Sequence, residues 1–483
     1  MQRYVIIFSF LLSFISHSQN SIQRAIDVFS VDKMYLNASI SFMVFDLDKE
    51  EIVAKLNEHK SLTSASAAKL FSTSTAFELL GANHYSQTRI YYDGYIDKDS
   101  VLHGNLWIRG GGDVTLGSKY FNSTKVELDF LSFWADSLKS KGINRINGAV
   151  IADGSEFGYN GAPEGWSWGD VGNYYGANAG GVNVFDNQIL LYFKMGKAGS
   201  MSQLTEIYPF VPNLQMQNEV FAAAVNGDNS YIYGAPYSLD RLVKGKLPQF
   251  TERFMVKGSM PDPEFQLAYE FTNSLLKKGI YVVQKPKAYR LIDVELPNSY
   301  EKFNLLFTQS SKTVKEIAFW TNFKSVNLFA EGLLNQLGYT KLGNGSTESS
   351  LKVLTEFWEQ KIDLSGMILK DGSGLSRSNA ISANHFCQLL SYMYKSTNFV
   401  DFKETLPVAG KSGTISSLCK GQMGEGRIFA KSGTISNVKA YAGYVYSKSG
   451  KKFAFSISVN NYNGSSADLQ NKIEKVLNAI ATY

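Results

Sequence analysis

Thr63-Ser64-Ala65-Ser66-Ala67-Ala68-Lys69-Leu70-Phe71 is the stretch on which the reading of this chain turns. Upstream of it, Ala38 to Ala54 alternates apolar and polar residues on both sides of Asp46-Leu47-Asp48, the pattern of a strand, a polar turn and a second strand. Downstream, Leu70, Phe71, Ala76, Phe77 and Leu80 recur at helical spacing. A helix is therefore expected over 63–80, with Thr63 or Ser64 as its cap and Gly81 as its stop. Residues three apart share a helix face, so Ser66 and Lys69 face each other. A lysine amine so placed can take the serine's proton once it has lost its own, which burial and the positive helix N-terminus both favour. The same N-terminus suits a developing oxyanion. The spacing alone is a weak signal, since Ser274/Lys277 and Ser349/Lys352 repeat it. What marks Ser66 is its place at the head of an apolar helix directly after a strand pair.

Beyond about residue 88 the character changes. Short alternating runs such as Arg89-Ile90-Tyr91-Tyr92 and Leu106-Trp107-Ile108, many glycines, and a Trp/Gly/Tyr-rich loop from Gly165 to Tyr175 predict β-rich, loop-rich material with one helix over 263–278. From Ser311 the chain turns helical, with a break near Asn322, and further helices are expected over 346–361 and 382–395. Three alternating strands follow, over 426–431, 438–447 and 452–460, the last two joined at Ser449-Gly450, and a final helix covers 466–481. The expected organisation is α+β and multidomain: an antiparallel sheet flanked by helices, built discontinuously from residues 19–87 and 306–483, with a large β-rich insertion over 88–305.

Two further motifs belong to the same reading. Ser325-Val326-Asn327 sits within the helical stretch, where by itself it is an ordinary solvated turn. Lys431-Ser432-Gly433-Thr434 ends a strand, where a cation and hydroxyls can meet a carboxylate and the glycine lets a substrate backbone lie against the strand. An identical tetrapeptide, Lys411-Ser412-Gly413-Thr414, precedes it. Arg427-Ile428-Phe429-Ala430 before the later copy is strand-like, whereas Pro407-Val408-Ala409-Gly410 before the earlier one is turn-rich, which selects the later copy.

Together the three motifs, in this order, resemble those of the active-site serine penicillin-recognising enzymes. The interval between Ser66 and Ser325 is far longer than a compact β-lactamase needs. It is similar to that of the D-alanyl-D-alanine carboxypeptidase/endopeptidase family, the class C low-molecular-mass penicillin-binding proteins. Leu106 to Asp113, Gly165-Trp166-Ser167-Trp168 and Asp371-Gly372-Ser373-Gly374-Leu375-Ser376-Arg377 extend the likeness from about residue 20 to the C-terminus. The resemblance implies Ser66 as acylated nucleophile and Lys69 as its base. It implies that Ser325 and Asn327 relay protons and hold the substrate amide, and that Lys431, Ser432 and Thr434 bind the carboxylate of peptide or β-lactam. The N–H groups of Ser66 and Thr434 would form the oxyanion hole. Ser432 departs from the family's usual threonine but keeps a hydroxyl. Gly169-Asp170 departs from a loop that is usually acidic at both places.

The bulk properties agree with such an enzyme. With 48 basic and 43 acidic residues the net charge of +5 gives no footprint for nucleic acid. Five scattered histidines show no ligand spacing, so neither metal nor cofactor is expected. Arg3, the apolar run from Tyr4 to Ile15 and Ser16-His17-Ser18 read as an export signal over 1–18, which places the protein in the periplasm or cell envelope with no membrane span after cleavage. Cys387 and Cys419 either pair or remain as two buried thiols. The expected partners are peptidoglycan peptides, with β-lactams as covalent inhibitors. The competing readings are a cell-wall-binding homologue that turns over poorly and a β-lactamase. Asp153 is open to two readings: it recognises the free amine of a diamino acid in the stem peptide, or it closes an Asp-Gly turn.

Overall fold

The computed structural model describes residues 21–121, 129–292 and 300–483. The segment 1–18 expected to direct export lies outside the described residues. The chain divides into two compact units. The first comprises the chain up to Ala82, Val314–Val326 and Leu351–Tyr483; the second comprises Asn83–Thr313 and Asn327–Ser350.

The first unit is built on a five-stranded antiparallel sheet in the order Ile428–Ile435, Val438–Tyr446, Lys452–Asn460, Ser39–Asp46, Glu51–Leu56. Val438–Tyr446 and Lys452–Asn460 are buried on both faces along nearly their whole length, which explains why they read as near-continuous apolar runs. Helical residues 21–30 and helix Ser466–Thr482 supply one apolar layer, in which Ile22, Ile26, Leu469, Ile473 and Ile480 share a cluster with Phe42, Phe455 and Ile457. On helix Ala383–Lys395, capped by Ser382 accepting from the His385 N–H at 3.2 Å, Ala383 and Cys387 cluster with Met43 of the sheet. Cys387 and Cys419 are free and buried, and burial raises both thiols, Cys419 to about 12.

The helix expected over 63–80 begins as a 3₁₀ turn, Ala65–Ala68, and continues as α-helix Lys69–Leu79. Its residues from Lys69 to Phe77 are all buried. Four successive hydroxyl residues inside it are satisfied locally: Thr73 Oγ1 donates to Lys69 O at 2.8 Å and Thr75 Oγ1 to Phe71 O at 2.6 Å. Ser74 Oγ donates to Phe71 O at 3.2 Å, and Ser72 Oγ to Gly372 O at 2.6 Å. Such back-bonding lets polar side chains enter a core without orphaned groups. Asn322, near the end of helix Val314–Phe323, donates to Thr73 Oγ1 at 3.3 Å and Thr405 Oγ1 at 2.8 Å, tying that helix to this one.

The second unit carries the β-rich material. Its largest sheet is mixed, ordered Lys287–Ala288, Val150–Asp153, Leu106–Arg109, Gln87–Tyr92, Asn304–Ser310. Two three-stranded sheets and a four-stranded one accompany it. One helix was expected in this region; among the described residues Asp129–Ser140 and the short Trp168–Val171 are present besides Pro263–Lys277. Leu131, Trp134, Ala135 and Leu138 are the buried positions of Asp129–Ser140. They repeat at helical spacing over only two turns, too short a run to stand out from the alternating segments around it.

Trp358 is fully buried, donates to Thr75 Oγ1 at 2.8 Å and meets the Phe71 ring edge-on at 5.9 Å. Trp358→Ala should destabilise the protein by about 3–5 kcal/mol in urea titration. Trp358→Phe should cost about 1–2 kcal/mol, because it keeps most of the packing and loses the hydrogen bond. Equal losses would show that packing against the Ser66-bearing helix is not what Trp358 supplies.

Candidate active site

Ser66 lies in the 3₁₀ turn and Lys69 is the first residue of the α-helix. In 3₁₀ geometry side chains at i and i+3 eclipse, which aligns the pair more closely than the α-helical spacing assumed from sequence. Lys69 is fully buried, and its Nζ donates to Ser66 Oγ at 2.9 Å and to Ser373 O at 2.7 Å. Ala65, immediately before the serine, has φ of 45°. A non-glycine residue held there is strained, and such strain concentrates at functional sites.

Strand Ile428–Ile435 passes directly over this turn. A Cβ on Gly433 would stand 2.2 Å from Ser64 O and 3.0 Å from Ser66 N. The glycine is therefore needed for the strand to approach the Ser66 turn at all, which is a tighter demand than the substrate clearance expected from sequence. Lys431, two residues earlier, is fully buried, and its Nζ donates to Ser325 Oγ at 3.0 Å and to Ser432 O at 2.7 Å. Among the described residues it has no carboxylate partner. Burial, and after it the charge of Lys69, hold the Lys431 amine well below the ordinary lysine value. Ser432 and Thr434 alternate with Lys431 along the strand, the Lys431 side chain carries its Nζ round to the Ser432 carbonyl, and Thr434 is exposed.

Ser325 lies in the break between helices Val314–Phe323 and Asn327–Leu342, with φ of 61°. The break comes slightly later than the Asn322 position expected. Asn327 opens the second of these helices and belongs to the second unit, where its amide donates to Tyr175 O at 2.7 Å. The structure thus brings Ser66 and Lys69 together, and Lys431 and Ser325 together, within the first unit.

A contributor without an assigned role in the sequence reading is the turn Asp371–Ser376. Asp371 is almost fully buried and accepts from Gly374 N at 2.9 Å, Ser376 N at 2.6 Å and Asn379 Nδ2 at 2.7 Å. Gly374 has φ of 79°, and a Cβ there would meet Ala65 O at 2.0 Å. This knot fixes the Ser373 carbonyl that receives Lys69. The signal was present as Asp371-Gly372-Ser373-Gly374, a turn sequence, but nothing in spacing said which side chain its carbonyl would meet.

The profile of the D-Ala-D-Ala carboxypeptidase 3 (S13) family matches residues 22–482. The chain belongs to this family. It is a serine-type D-Ala-D-Ala peptidase, a hydrolase. Among relatives, it is 26% identical to D-alanyl-D-alanine carboxypeptidase DacB of Haemophilus influenzae over 92% of this chain and 89% of the relative. It is 25% identical to D-alanyl-D-alanine carboxypeptidase of Actinomadura sp. (strain R39) over 92% of this chain and 81% of the relative. The crystal structure of penicillin binding protein 4 (dacB) from Haemophilus influenzae superposes with a TM-score of 0.78 at 22% identity, covering 93% of this chain and 97% of that one. The fold is that of this penicillin-binding protein.

Two sequence expectations acquire a definite geometry in this family member. Asp153 is buried, with Oδ2 accepting from the Tyr300 hydroxyl at 2.6 Å and Oδ1 from Ser155 N–H at 2.9 Å. The Ser155 N–H contact is the one the turn reading expects. In the earlier tetrapeptide, Lys411 is exposed and pairs with Glu425 at 2.5 Å.

The two lysines should therefore respond differently. Lys431→Ala should slow acylation by benzylpenicillin by about 100-fold or more, the scale of losing a buried charge-assisted contact, while Lys411→Ala should change it less than about twofold. Stopped-flow or gel-based acylation rates decide, and a reversed ranking would overturn the choice between the copies. Gly433→Ala should also impair acylation strongly, because the Ser66 turn must shift; an unchanged rate would contradict the close approach described above.

Proposed function

We propose that the protein cleaves the D-Ala-D-Ala bond of peptidoglycan stem peptides through an acyl-enzyme on Ser66, and that β-lactams acylate the same serine. The observation that carries this reading is the contact of buried Lys69 with Ser66 Oγ at 2.9 Å, beside a second buried lysine that holds Ser325. Lys69, in its neutral form, takes the Ser66 proton as Oγ attacks the carbonyl carbon of the penultimate D-Ala. The charge that develops on the carbonyl oxygen is met by the N–H groups of Ser66 and Thr434. The C–N bond then breaks as Ser325, held by Lys431, passes a proton to the leaving nitrogen and takes in turn the one that Lys69 received from Ser66, which releases D-Ala and leaves Lys69 neutral again. Water attacks the ester, its proton returns through Lys69, and Ser66 is regenerated. Lys431, Ser432 and Thr434 hold the terminal carboxylate, and Asn327 holds the amide of the stem peptide.

The buried Lys431 charge supports the carboxylate assignment. An ammonium taken out of water without a counter-charge is costly, and a substrate carboxylate supplies that charge. The strained φ values at Ala65, next to Ser66, and at Ser325 point the same way, since a mere binding homologue has no need to keep unfavourable backbone at both places. The reading assigns the chemistry to the discontinuous region 19–87 and 306–483 and gives the insertion over 88–305 the shaping of the substrate cleft. It also puts the protein in the cell envelope, where its substrate lies, with residues 1–18 as the export signal. Among the described residues no helix is long and apolar enough to cross a membrane.

Incubation with benzylpenicillin followed by intact mass should show one adduct per chain, mapping to the peptide that contains Ser66. Ser66→Ala should remove it, since loss of a covalent nucleophile leaves only residual catalysis from binding and electrostatics. A Ser66→Ala protein that still takes up one penicillin would sink the assignment. Release of D-Ala from a D-Ala-D-Ala pentapeptide by the wild type, and not by Ser66→Ala, tests the peptidase step.

A further inference from the structure

The earlier Lys-Ser-Gly-Thr copy gives the site no cation, but its threonine is placed differently from its lysine. Residues 407–409 run along the outer edge of strand Ile428–Ile435: Ala430 N–H donates to Pro407 O at 3.1 Å and Ala409 N–H to Ile428 O at 2.9 Å. The chain then turns back on itself, with Ser412 N–H donating to Val408 O at 2.9 Å and Val408 N–H to Ser412 Oγ at 3.1 Å. A 3₁₀ turn, Gly413–Ile415, follows. Gly413 has φ of 61°, and a Cβ there would stand 2.8 Å from Phe323 O and 2.8 Å from Pro407 Cβ. Only a glycine seats the turn this closely against the end of helix Val314–Phe323, two residues before Ser325.

The result of this packing is one side-chain contact. Ser432 Oγ donates to Thr414 Oγ1 at 2.8 Å. Thr414 and Thr434 are exposed and Ser432 is half-buried. Ser432 and Thr434 share a strand face because side chains alternate. Three hydroxyls from both copies of the motif thus belong to one open surface of the strand. An exposed hydroxyl pair adds little to folding, since water replaces the bond readily. It does fix a rotamer: serine has no β-branch and its χ1 is free among three wells, so the bond to Thr414 selects one of them. With its acceptor lone pair filled by Ser432, Thr414 keeps its own O–H to donate outward.

We propose that Thr414 is part of the carboxylate subsite: it takes the one proton of the Ser432 hydroxyl and presents its own O–H to the carboxylate, so that the Ser432–Thr414 pair contributes one oriented donor beside Lys431 and Thr434. This rests on the reading of Lys431–Thr434 given above. It divides the earlier copy by function: Lys411 belongs to an ion pair with Glu425, and Thr414 belongs to the subsite.

The test compares wild type, Thr414→Val, Thr414→Ser and Lys411→Ala with two probes, benzylpenicillin and its methyl ester, which lacks the carboxylate charge. Thr414→Val keeps the β-branched shape and removes the hydroxyl. It should slow acylation by benzylpenicillin about tenfold, the scale of one hydrogen bond to a charged group, and leave the slower reaction with the ester unchanged. The loss should fall on the half-saturating concentration rather than on the limiting rate. Thr414→Ser should restore wild-type behaviour, and Lys411→Ala should match wild type with both probes. Wild-type rates for Thr414→Val, or equal losses on both probes, would overturn the proposal while leaving Ser66 labelling intact. A wild type that is not labelled at Ser66 at all would overturn the underlying reading as well, so the two failures are distinct.

Discussion

Lys431 is a lysine amine buried in a sheet protein with a hydroxyl, a carbonyl and another lysine for company, and the site is organised around that unfavourable arrangement. The charge of Lys69 adds to the burial that pushes the Lys431 amine below its usual value. A fold keeps such a pair only if the rest of the structure holds it in place. The sheet does this for Lys431 by pairing it with Ala442 in a strand buried along its length. The helix Lys69–Leu79 does it for Lys69 by being enclosed on every side, its hydroxyls turned onto nearby carbonyls. Two glycines then permit the contacts that bring the elements to the Ser66 turn: Gly433 in the strand and Gly374 in the Asp371 knot. The chemistry is thus set by where charge is left uncompensated, and the packing by what must approach Ser64–Ser66 without a side chain in the way.

The same constraint explains why stability and reactivity oppose each other here. Below its own depressed value Lys431 is charged in the folded and the unfolded chain alike, and the folded state bears the cost of burying that charge. As pH rises between that value and the ordinary lysine value, the folded chain sheds the proton while the unfolded chain keeps it, so the unfolded state binds more protons and stability rises with pH. In the proposed mechanism a bound carboxylate removes the cost by a different route, supplying a counter-charge and drawing the amine back toward its ordinary value, so that substrate binding and relief of the buried charge would be one event.

Much of the fold could be read before any coordinates. The three C-terminal strands and the helices after Ser311 carry runs of buried residues long enough for their period to be unambiguous, and Ser66 could be singled out because it opens an apolar helix after a strand pair. What could not be read has physical reasons. The 3₁₀ start of the Ser66 helix leaves no trace in apolar spacing, because Ala65, Ala67 and Ala68 suit either geometry. Helix Asp129–Ser140 is two turns of pattern among alternating segments. The Ser373 carbonyl and the Thr414 hydroxyl are contacts across more than three hundred residues and across a chain reversal respectively, and neither distance has a local signature. Asp153 allowed two readings from sequence, because an acidic residue before a glycine suits a turn and an amine contact alike; the Tyr300 hydroxyl that meets it lies far along the chain and was invisible.

The most direct measurement is an NMR titration of the lysine Cε resonances in the Ser66→Ala protein, free and with benzylpenicillin held non-covalently, with Lys431→Arg used to assign the signal. The account predicts that Lys431 titrates well below the ordinary value of ~10.4 in the free protein and moves upward when the carboxylate binds. A Lys431 that titrates at the ordinary lysine value, or one whose titration is indifferent to benzylpenicillin, would contradict it.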